Sequence, residues 1–438
     1  MSGMELALWS FPILMALIFL RVPIGLSMLV CGFGGAWMVY GQISPILNQL
    51  KQVTYATFSS YSLSVVPLFL LMGQFASIGG MSAALFKAAQ AWLGHRRGGV
   101  ALAAIGACAG FGAICGSSVA TAATMGQVAL PELRKSGYSG ALATGCLAAG
   151  GTLGILIPPS IVLVIYAILT EQNIAKLFLA AFIPGILAMI GYMIVVAIYV
   201  RVSPGSAGKA EPMPMKERWR ETRKVWPVLT LFIVVVGGIY GGIFTPTEGA
   251  GIGAAGTGLV AWVNGSMNAA KLRQALIGTA VATGMIFMIV LGAGVYNTFL
   301  ALSQLPQQAA TLVASSGMSP WAVLSAIIVL YLIMGCFMDS LSMILLTIPI
   351  FFPIVSGLDY GIHGEQFAIW FGILVLIAVE VGMITPPVGM NLFVINSIAR
   401  DIPMSHTFRG AMPFVASDLI RIVILTLFPS ITLFALRL

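Results

Sequence analysis

The chain has 438 residues, of which 59% are hydrophobic and only 8% are charged. A soluble protein of this size does not have such a composition, which predicts an all-α protein that crosses a lipid bilayer many times. The net charge of +8 comes from loops between apolar runs, which indicates membrane topology and argues against a nucleic-acid partner. The five cysteines lie in apolar runs without a Cys-x-x-Cys pair, so no disulfide or metal framework is expected.

The first apolar runs cover residues 6–20, 22–40 and 61–78, and each is predicted to be a membrane span. A polar stretch at residues 42–60 separates the last two runs. Residues 81–93 are more amphipathic and predict a helix at the membrane interface.

Residues 98–134 form two apolar arms of roughly seventeen residues each, which is near the lower limit for a membrane span. The arms meet at Gly116-Ser117-Ser118, and basic residues flank both ends of the segment. Because basic loops stay in the cytoplasm, both ends are predicted on that side, which favours a re-entrant helical hairpin. The alternative is an ordinary pair of spans joined by a very short external loop.

Residues 140–169 are apolar over a length that spans a bilayer, but Pro158-Pro159 interrupts them. Proline supplies no backbone N–H and clashes with the preceding helical turn. The helix is therefore predicted to stop and restart near the membrane midplane. Freed carbonyls there can bind cations, and the N-terminus of the restarting helix favours anions. A simple packing kink is the alternative.

The second half of the chain repeats both features. Residues 319–357 form two similar arms that meet at Met338-Asp339-Ser340, and residues 367–398 contain a second break at Pro386-Pro387. The flanks of this hairpin carry no Lys or Arg, so it is predicted to enter from the outside. Two hairpins with opposite entry sides, each followed by a broken span, predict two inverted repeats.

The basic segment at residues 201–224 is predicted to be a cytoplasmic loop between these repeats. It divides the chain into a first repeat, residues 1–200, and a second repeat, residues 225–438. Counting spans outward from this loop places nearly all other basic residues on the cytoplasmic side, which supports the division.

Charged residues inside apolar runs are informative because each costs about 2.5–3.5 kcal/mol at the centre of a membrane helix. Asp339 lies at a hairpin tip, where a bound cation or a polar cavity would offset this cost. Glu380 precedes the second break, and a structural hydrogen bond and direct ion binding are both open interpretations of it. Asp418 and Arg421 are spaced to pair on one helix face.

Catalytic motifs are absent from the sequence. It contains no Gly-x-Ser-x-Gly, no His-Glu-x-x-His and no phosphate-binding loop. The three histidines lie in predicted loops, so no intramembrane metal triad is expected. The chain is therefore predicted not to be an enzyme.

Four motifs are spread over the chain: Gly154-Ile-Leu-Ile-Pro-Pro-Ser160, Phe244-Thr-Pro-Thr-Glu248, Ile384-Thr-Pro-Pro-Val-Gly-Met-Asn-Leu-Phe393 and Phe428-Pro429-Ser430. Together they resemble the large membrane subunit of the TRAP (tripartite ATP-independent periplasmic) transporters. The resemblance implies an elevator-type, sodium-driven importer in the bacterial cytoplasmic (inner) membrane. It implies two partners, a small four-helix membrane subunit, expected as a separate chain, and a periplasmic substrate-binding protein. Family substrates are mostly carboxylates such as C4-dicarboxylates, sugar acids and sialic acids.

With this resemblance, the hairpin tips and helix breaks predict two sodium sites, because hydroxyl, carboxylate and carbonyl oxygens are the ligands that hard cations prefer. The predicted sodium ligands are Ser117, Ser118, Gly150 and Thr152 in the first repeat and Asp339, Ser340, Gly382 and Thr385 in the second. The substrate anion is expected between the two sites. Its candidate hydrogen-bonding partners are Ser118, Ser160, Asn391 and Asn396.

The predicted function is sodium-coupled secondary active import of a small organic acid anion that the periplasmic binding protein delivers. The alternative is a stand-alone sodium-coupled carboxylate carrier with the same hairpin architecture and no binding protein. A neighbouring gene for a secreted binding protein would separate the two.

Overall fold

A computed structural model describes residues 2–315 and 317–437. Every regular element in these two ranges is helical, so the all-α prediction is confirmed. The helices of the first half are α1 (Gly3–Phe19), α2 (Ile24–Tyr40), α3 (Ser44–Phe58), α4 (Val65–Ile78), α5 (Met81–Leu93), α6 (Gly99–Cys115), α7 (Ser118–Lys135), α8 (Gly140–Leu156), α9 (Ile161–Leu169) and α10 (Ile174–Val202).

The second half begins with a short helix inside the basic segment, so that this segment is not a plain loop. Its helices are α11 (Met215–Arg223), α12 (Trp226–Phe232), α13 (Gly238–Tyr240), α14 (Pro246–Val263), α15 (Ala269–Leu302), α16 (Leu305–Ser315), α17 (Pro320–Gly335), α18 (Ser340–Ser356), α19 (Gly364–Gly382), α20 (Met390–Ile398), α21 (Met404–Leu427) and α22 (Pro429–Leu433). A π-helical turn, Ile233–Gly237, joins α12 to α13.

In the described part of the chain, four helices are individually long and apolar enough to cross a membrane: α10, α15, α19 and α21. Three further pairs of consecutive helices, which begin with α3, α8 and α11, are each bent at a short break. If each pair counts as one span, the number of candidate spans is seven. The polar stretch at residues 42–60 therefore contains a helix, α3, which meets the next apolar helix at an angle of 54°.

One group of helices, here called the frame, consists of α1 to α4 with α14 and α15. Its closest packing joins α2 to α15, where glycines let the two backbones approach. A Cβ at Gly25 would lie 2.7 Å from the carbonyl oxygen of Met288, and one at Gly32 would lie 2.6 Å from the Cα of Tyr296. Small residues therefore position the longest helix of the fold.

A second group, here called the hairpin body, consists of α6 to α10 and α17 to α21. Two helices, α8 and α19, lie at its centre and are buried around nearly their whole circumference. A helix that is apolar on all sides needs such an environment. The remaining helices of the group surround these two.

Pairs of helices occupy the segments for which the sequence predicts hairpins and breaks. Residues 98–134 contain α6 and α7, residues 140–169 contain α8 and α9, and these last two meet at 44°. Residues 319–357 contain α17 and α18, and residues 367–398 contain most of α19 and all of α20. The order of elements thus repeats, while the inverted orientation and the domain boundaries stay predictions.

Several basic loops lie at one end of the helices. The Ser139 N–H donates to the carbonyl oxygen of Ser206, and the Ala210 N–H donates to that of Gly94. Arg134 forms an ion pair with Asp401 at the same end. This clustering agrees with a shared cytoplasmic side for these loops.

Candidate functional site

The first hairpin turns at Gly116, whose φ of +64° favours glycine. Ser117 caps α7 and accepts a hydrogen bond from the Ala120 N–H at 3.4 Å. A Cβ at Gly116 would lie 3.1 Å from the Pro159 carbonyl oxygen. The tip of this hairpin therefore contacts the break in its own repeat.

The break itself follows from proline geometry. Ile157 is extended, with ψ of 119°, because a residue before proline avoids the helical region. The chain restarts at Ser160, whose hydroxyl accepts from the Leu163 N–H at 3.4 Å and caps α9. The Pro158–Pro159 peptide is cis, as is Pro386–Pro387 in the second half.

The second hairpin reaches its own break in the same way. Asp339 caps α18 by accepting from the Ser342 N–H at 3.0 Å. The Gly389 N–H donates to the carbonyl oxygen of Cys336 at 3.2 Å, which links the second break to the second tip. A Cβ at Gly382 would lie 2.5 Å from the Cα of Gly335, so glycines bring α17 and α19 into backbone contact.

The corresponding glycines of the first half are Gly112 on α6 and Gly154 on α8. A Cβ at Gly112 would clash with the backbone of Gly154. A Cβ at Gly154 would also clash with neighbouring atoms. Each repeat thus uses a glycine contact to hold its hairpin against its broken helix.

Glu380 lies between the two hairpin tips. It is completely buried in α19. The Ser118 hydroxyl, from the first tip, donates to its Oε1 at 3.3 Å, and the Ser340 hydroxyl, from the second tip, lies beside the same carboxylate. Its Oε2 has no hydrogen-bond partner among the described residues. A buried carboxylate with an open oxygen is costly unless a positive group offsets its charge.

Asn391 brings a second open oxygen to this region. It is fully buried at the start of α20, and its side-chain amide donates to the Ala148 carbonyl oxygen at 3.4 Å. Its own Oδ1 has no partner within the described ranges. The Asn391 N–H also donates to the carbonyl oxygen of Met383, whose sulfur lies 3.6 Å from the Ser118 hydroxyl. Ser118 and Asn391 therefore both contact Met383, and Ser118 also joins Glu380.

Thr152 and Gly150 lie within the regular part of α8, before the break. The Thr152 hydroxyl bonds to the Tyr192 hydroxyl at 2.8 Å, and Tyr192 donates to Asp418 at 2.7 Å. A Cβ at Gly150 would lie 2.7 Å from the Cys108 sulfur. The Thr152 side chain thus bonds towards α10 and α21 instead of the hairpin tip.

Thr385 and Asn396 also have local partners. The Thr385 hydroxyl donates to the Val381 carbonyl oxygen at 2.6 Å, which keeps it at the end of α19. The Asn396 amide oxygen accepts from the Thr407 hydroxyl at 3.3 Å on the side of α21. Among the eleven predicted residues, the structure unites Ser118 with Ser340 around Glu380, and both sequence-based roles for Glu380 fit this arrangement.

The predicted pairing of Asp418 with Arg421 is confirmed at 3.0 Å, and both side chains are buried. Tyr192, which joins this pair to Thr152, was not a candidate from the sequence. It lies in a long apolar span, and a tyrosine there carries no local signal for a contact with α21.

The helix that follows each break packs against the hairpin of the other repeat. Helix α9 packs on α18, and α20 packs on α7. Gly126 of α7 leaves room for Ile395 and Ile398 of α20. Each hairpin therefore touches the broken helices of both halves, which places the two tips around one shared centre.

The donor atoms of this centre are hydroxyl, carboxylate, amide and backbone oxygens. Within residues 2–315 and 317–437, no group of three or more His, Cys, Asp and Glu side chains could hold a metal ion. Oxygen donors of this kind suit a hard cation better than a soft metal that prefers sulfur ligands.

A polar centre built from two hairpin tips and two broken apolar helices defines a membrane transport protein. The family model described as the tripartite ATP-independent periplasmic transporter, DctM component, matches residues 11–431. The chain therefore belongs to the DctM family of large membrane subunits of TRAP transporters.

Two curated relatives and one solved structure illustrate this similarity. The C4-dicarboxylate TRAP transporter large permease protein DctM of Pseudomonas aeruginosa is 37% identical over 406 residues, covering 92% of each chain. The sialic acid TRAP transporter permease protein SiaT of Haemophilus influenzae is 29% identical over 99% of this chain and 68% of its own. The Alcanivorax borkumensis YdaH transporter has a similar fold, with a TM-score of 0.65 at 15% identity over 88% of this chain and 87% of its own.

Family membership confirms three predictions from the sequence. The chain is a TRAP large membrane subunit, it lies in the inner membrane, and it is a transporter component and not an enzyme. The family also implies a small membrane subunit and a periplasmic binding protein as partners.

Proposed function

We propose that this subunit imports a small organic acid anion together with sodium ions, after a periplasmic binding protein delivers the anion. One observation carries this proposal: the completely buried Glu380 has one open oxygen, and the Ser118 and Ser340 hydroxyls of the two tips lie beside its carboxylate. A sodium ion would offset the charge of this carboxylate, and its presence would then favour closely packed tips.

The substrate class is supported by electrostatics and by the relatives. Helices α7, α9, α18 and α20 begin at the tips and breaks, and the positive ends of their dipoles favour an anion. Ser118 and Asn391 are the best placed of the predicted substrate ligands, because both contact Met383 beside Glu380. The names of relatives include C4-dicarboxylate and sialic acid, which are both carboxylates.

An elevator movement of the hairpin body against the frame is part of the proposal. Each group is held by internal glycine contacts, at Gly25 and Gly32 in the frame and at Gly335 and Gly382 in the hairpin body. Since each group packs tightly within itself, the plane between them is the natural place for sliding.

The tripartite arrangement, with the small subunit on a separate chain, is tested by reconstitution. Purified alone in liposomes, the chain should not transport radiolabelled acid. Adding the small subunit and the liganded binding protein should restore uptake that requires a sodium gradient. Robust uptake by the chain alone would favour the stand-alone carrier, and uptake that ignores sodium would reject the coupling.

A further inference from the structure

A cavity of about 510 Å³ opens where the basic segment joins the frame. Three of its walls come from the turn between α4 and α5, from α12 and from the end of α14. The fourth wall is the C-terminal part of α11 with the next residue, Lys224, and it contributes three basic side chains. The lining residues that matter here are Gly80, Ala84, Arg220, Arg223, Lys224 and Trp226.

The basic side chains outnumber the acidic ones at this cavity. Lys224 donates to both carboxylate oxygens of Glu221, at 2.7 and 2.9 Å, and Arg220 lies 3.6 Å from the same group. These hydrogen bonds lower the pKa of Glu221, which therefore stays charged. Arg223 has no ion-pair partner among the residues that the structure describes. Among the described residues, one carboxylate thus pairs with two of the three cations, and the cavity keeps an excess of positive charge.

The position of α11 is set by contacts on its other side. The indole N–H of Trp92 donates to the Thr222 hydroxyl at 2.9 Å, and the Arg218 guanidinium lies 5.8 Å from the centre of the Trp92 ring. Since these residues hold α11 against α5, the arginines at 220 and 223 remain directed to the cavity that they line.

The wall from α5 adds a second attraction for anions. This helix has 13 residues and begins beside the cavity at Gly80, with no side-chain cap and no acidic residue in its first turn. Its first N–H groups and the positive end of its dipole are therefore uncompensated, a combination that favours a phosphate group.

The surroundings separate a lipid from a soluble anion. Trp226, Pro227, Val228 and Val260 form an apolar wall, and Trp226 is 64% exposed. Exposed tryptophans are typical of the boundary between bilayer and water. A cationic pocket with an apolar wall at this boundary suits a phosphate that continues into acyl chains.

We propose that this cavity binds the phosphodiester headgroup of an anionic phospholipid from the cytoplasmic leaflet. The site lies between the end of α14, which belongs to the frame, and α5, α11 and α12, and it does not depend on the proposed transport cycle. Bound lipid would fix these helices at the membrane surface.

The experiment is native mass spectrometry of the purified subunit titrated with phosphatidylglycerol or phosphatidylcholine. The wild type should retain one phosphatidylglycerol in preference to phosphatidylcholine. The double variant R220Q/R223Q should bind phosphatidylglycerol about 30-fold more weakly, since each basic residue near a membrane surface is worth a factor of about five. The control K209Q/K216Q removes the same charge from exposed positions that do not line the cavity, and it should bind like the wild type.

A second variant tests whether lipid loss in R220Q/R223Q comes from misfolding or from the loss of charge at the cavity. Ala84→Glu places a carboxylate opposite the arginines from a different helix and should displace the lipid to a similar extent. Equal lipid retention in wild type and both pocket variants would overturn the proposal, as would an equal loss in the control. If inorganic phosphate displaces phosphatidylglycerol at matched concentration, the site binds soluble anions and the lipid assignment is wrong.

Discussion

Helix α19 of the hairpin body and α15 of the frame are both apolar enough to span a membrane, yet they differ in surroundings. In the most apolar window of each, 83% of residues are buried in α19 and 22% in α15. The buried helix is the one that breaks at Pro386-Pro387 and carries Glu380. Broken backbone and charge are tolerated at membrane depth only where protein covers them. The exposed helix runs unbroken for 34 residues.

Burial, and not apolar composition, therefore separates α19 from α15. In the hairpin body, glycine contacts lie close to the polar centre at Glu380. In the frame, glycine contacts bring the long helices α2 and α15 together. Variants of matched chemistry in the two groups should therefore have different effects.

The largest effect is expected from a bulky residue at the centre of the hairpin body. Gly382→Val places atoms 2.5 Å from the Cα of Gly335, and overpacking of this kind costs roughly 1–3 kcal/mol or more. Uptake by the reconstituted complex should be lost. Gly284→Val on α15 is the matched control, because no atom lies within 4 Å of its Cβ. Normal uptake by Gly382→Val would show that the glycine contact is not needed.

Removing one carboxylate in each group is the second test. Glu380→Gln should raise the sodium concentration for half-maximal uptake about tenfold or more, because a charged partner contributes roughly 1.5–3 kcal/mol. Glu248→Gln changes an exposed carboxylate that caps α14 of the frame together with Thr245, and its sodium dependence should match the wild type. An unchanged sodium dependence in Glu380→Gln would remove this residue from the ion site.

Two serine caps allow a finer comparison within the hairpin body. Ser117 caps α7 at the tip, whereas Ser139 caps α8 far from it, and each accepts one N–H at 3.4 Å. Loss of either cap should destabilise the fold by about 1 kcal/mol. Only Ser117→Ala should also raise the sodium requirement, by roughly fivefold for one lost ligand. The same sodium shift in both variants would assign it to stability alone.

The net charge of the sodium ions and the substrate that cross together should make the uptake rate depend on the membrane potential. Each elementary charge that crosses 100 mV is worth about 2.3 kcal/mol, so a dicarboxylate needs more than two sodium ions for net inward positive charge. An inside-negative potential, imposed with potassium and valinomycin at constant sodium gradient, should accelerate uptake. A reversal potential that corresponds to zero net charge would rule out excess cation coupling.

The smallest effect is expected at Thr152, since its hydroxyl bonds to Tyr192. Thr152→Val should lower the free energy of unfolding by about 1 kcal/mol, the usual contribution of one hydrogen bond, without changing the sodium dependence. Thr385→Val, at the second break, should raise the sodium requirement. A sodium shift in Thr152→Val would return this residue to the ion site.

The sequence by itself determined the features that depend on local chemistry. The Pro-Pro pairs at residues 158–159 and 386–387 interrupt their apolar runs, because each proline lacks an N–H and restricts the preceding residue. The membrane class and the family could be predicted as well, since apolar spans and motifs are continuous in the chain.

Tertiary structure decided which side chains meet. Ser118 reaches Glu380 across 262 positions of sequence. Thr152 is drawn to Tyr192 on α10 although its neighbours in the chain suggested the hairpin tip. Both outcomes depend on how α8 and α19 rotate when they are buried, because an apolar helix without a polar face has no preferred side in its sequence. Only packing against the surrounding helices selects which oxygen faces the centre.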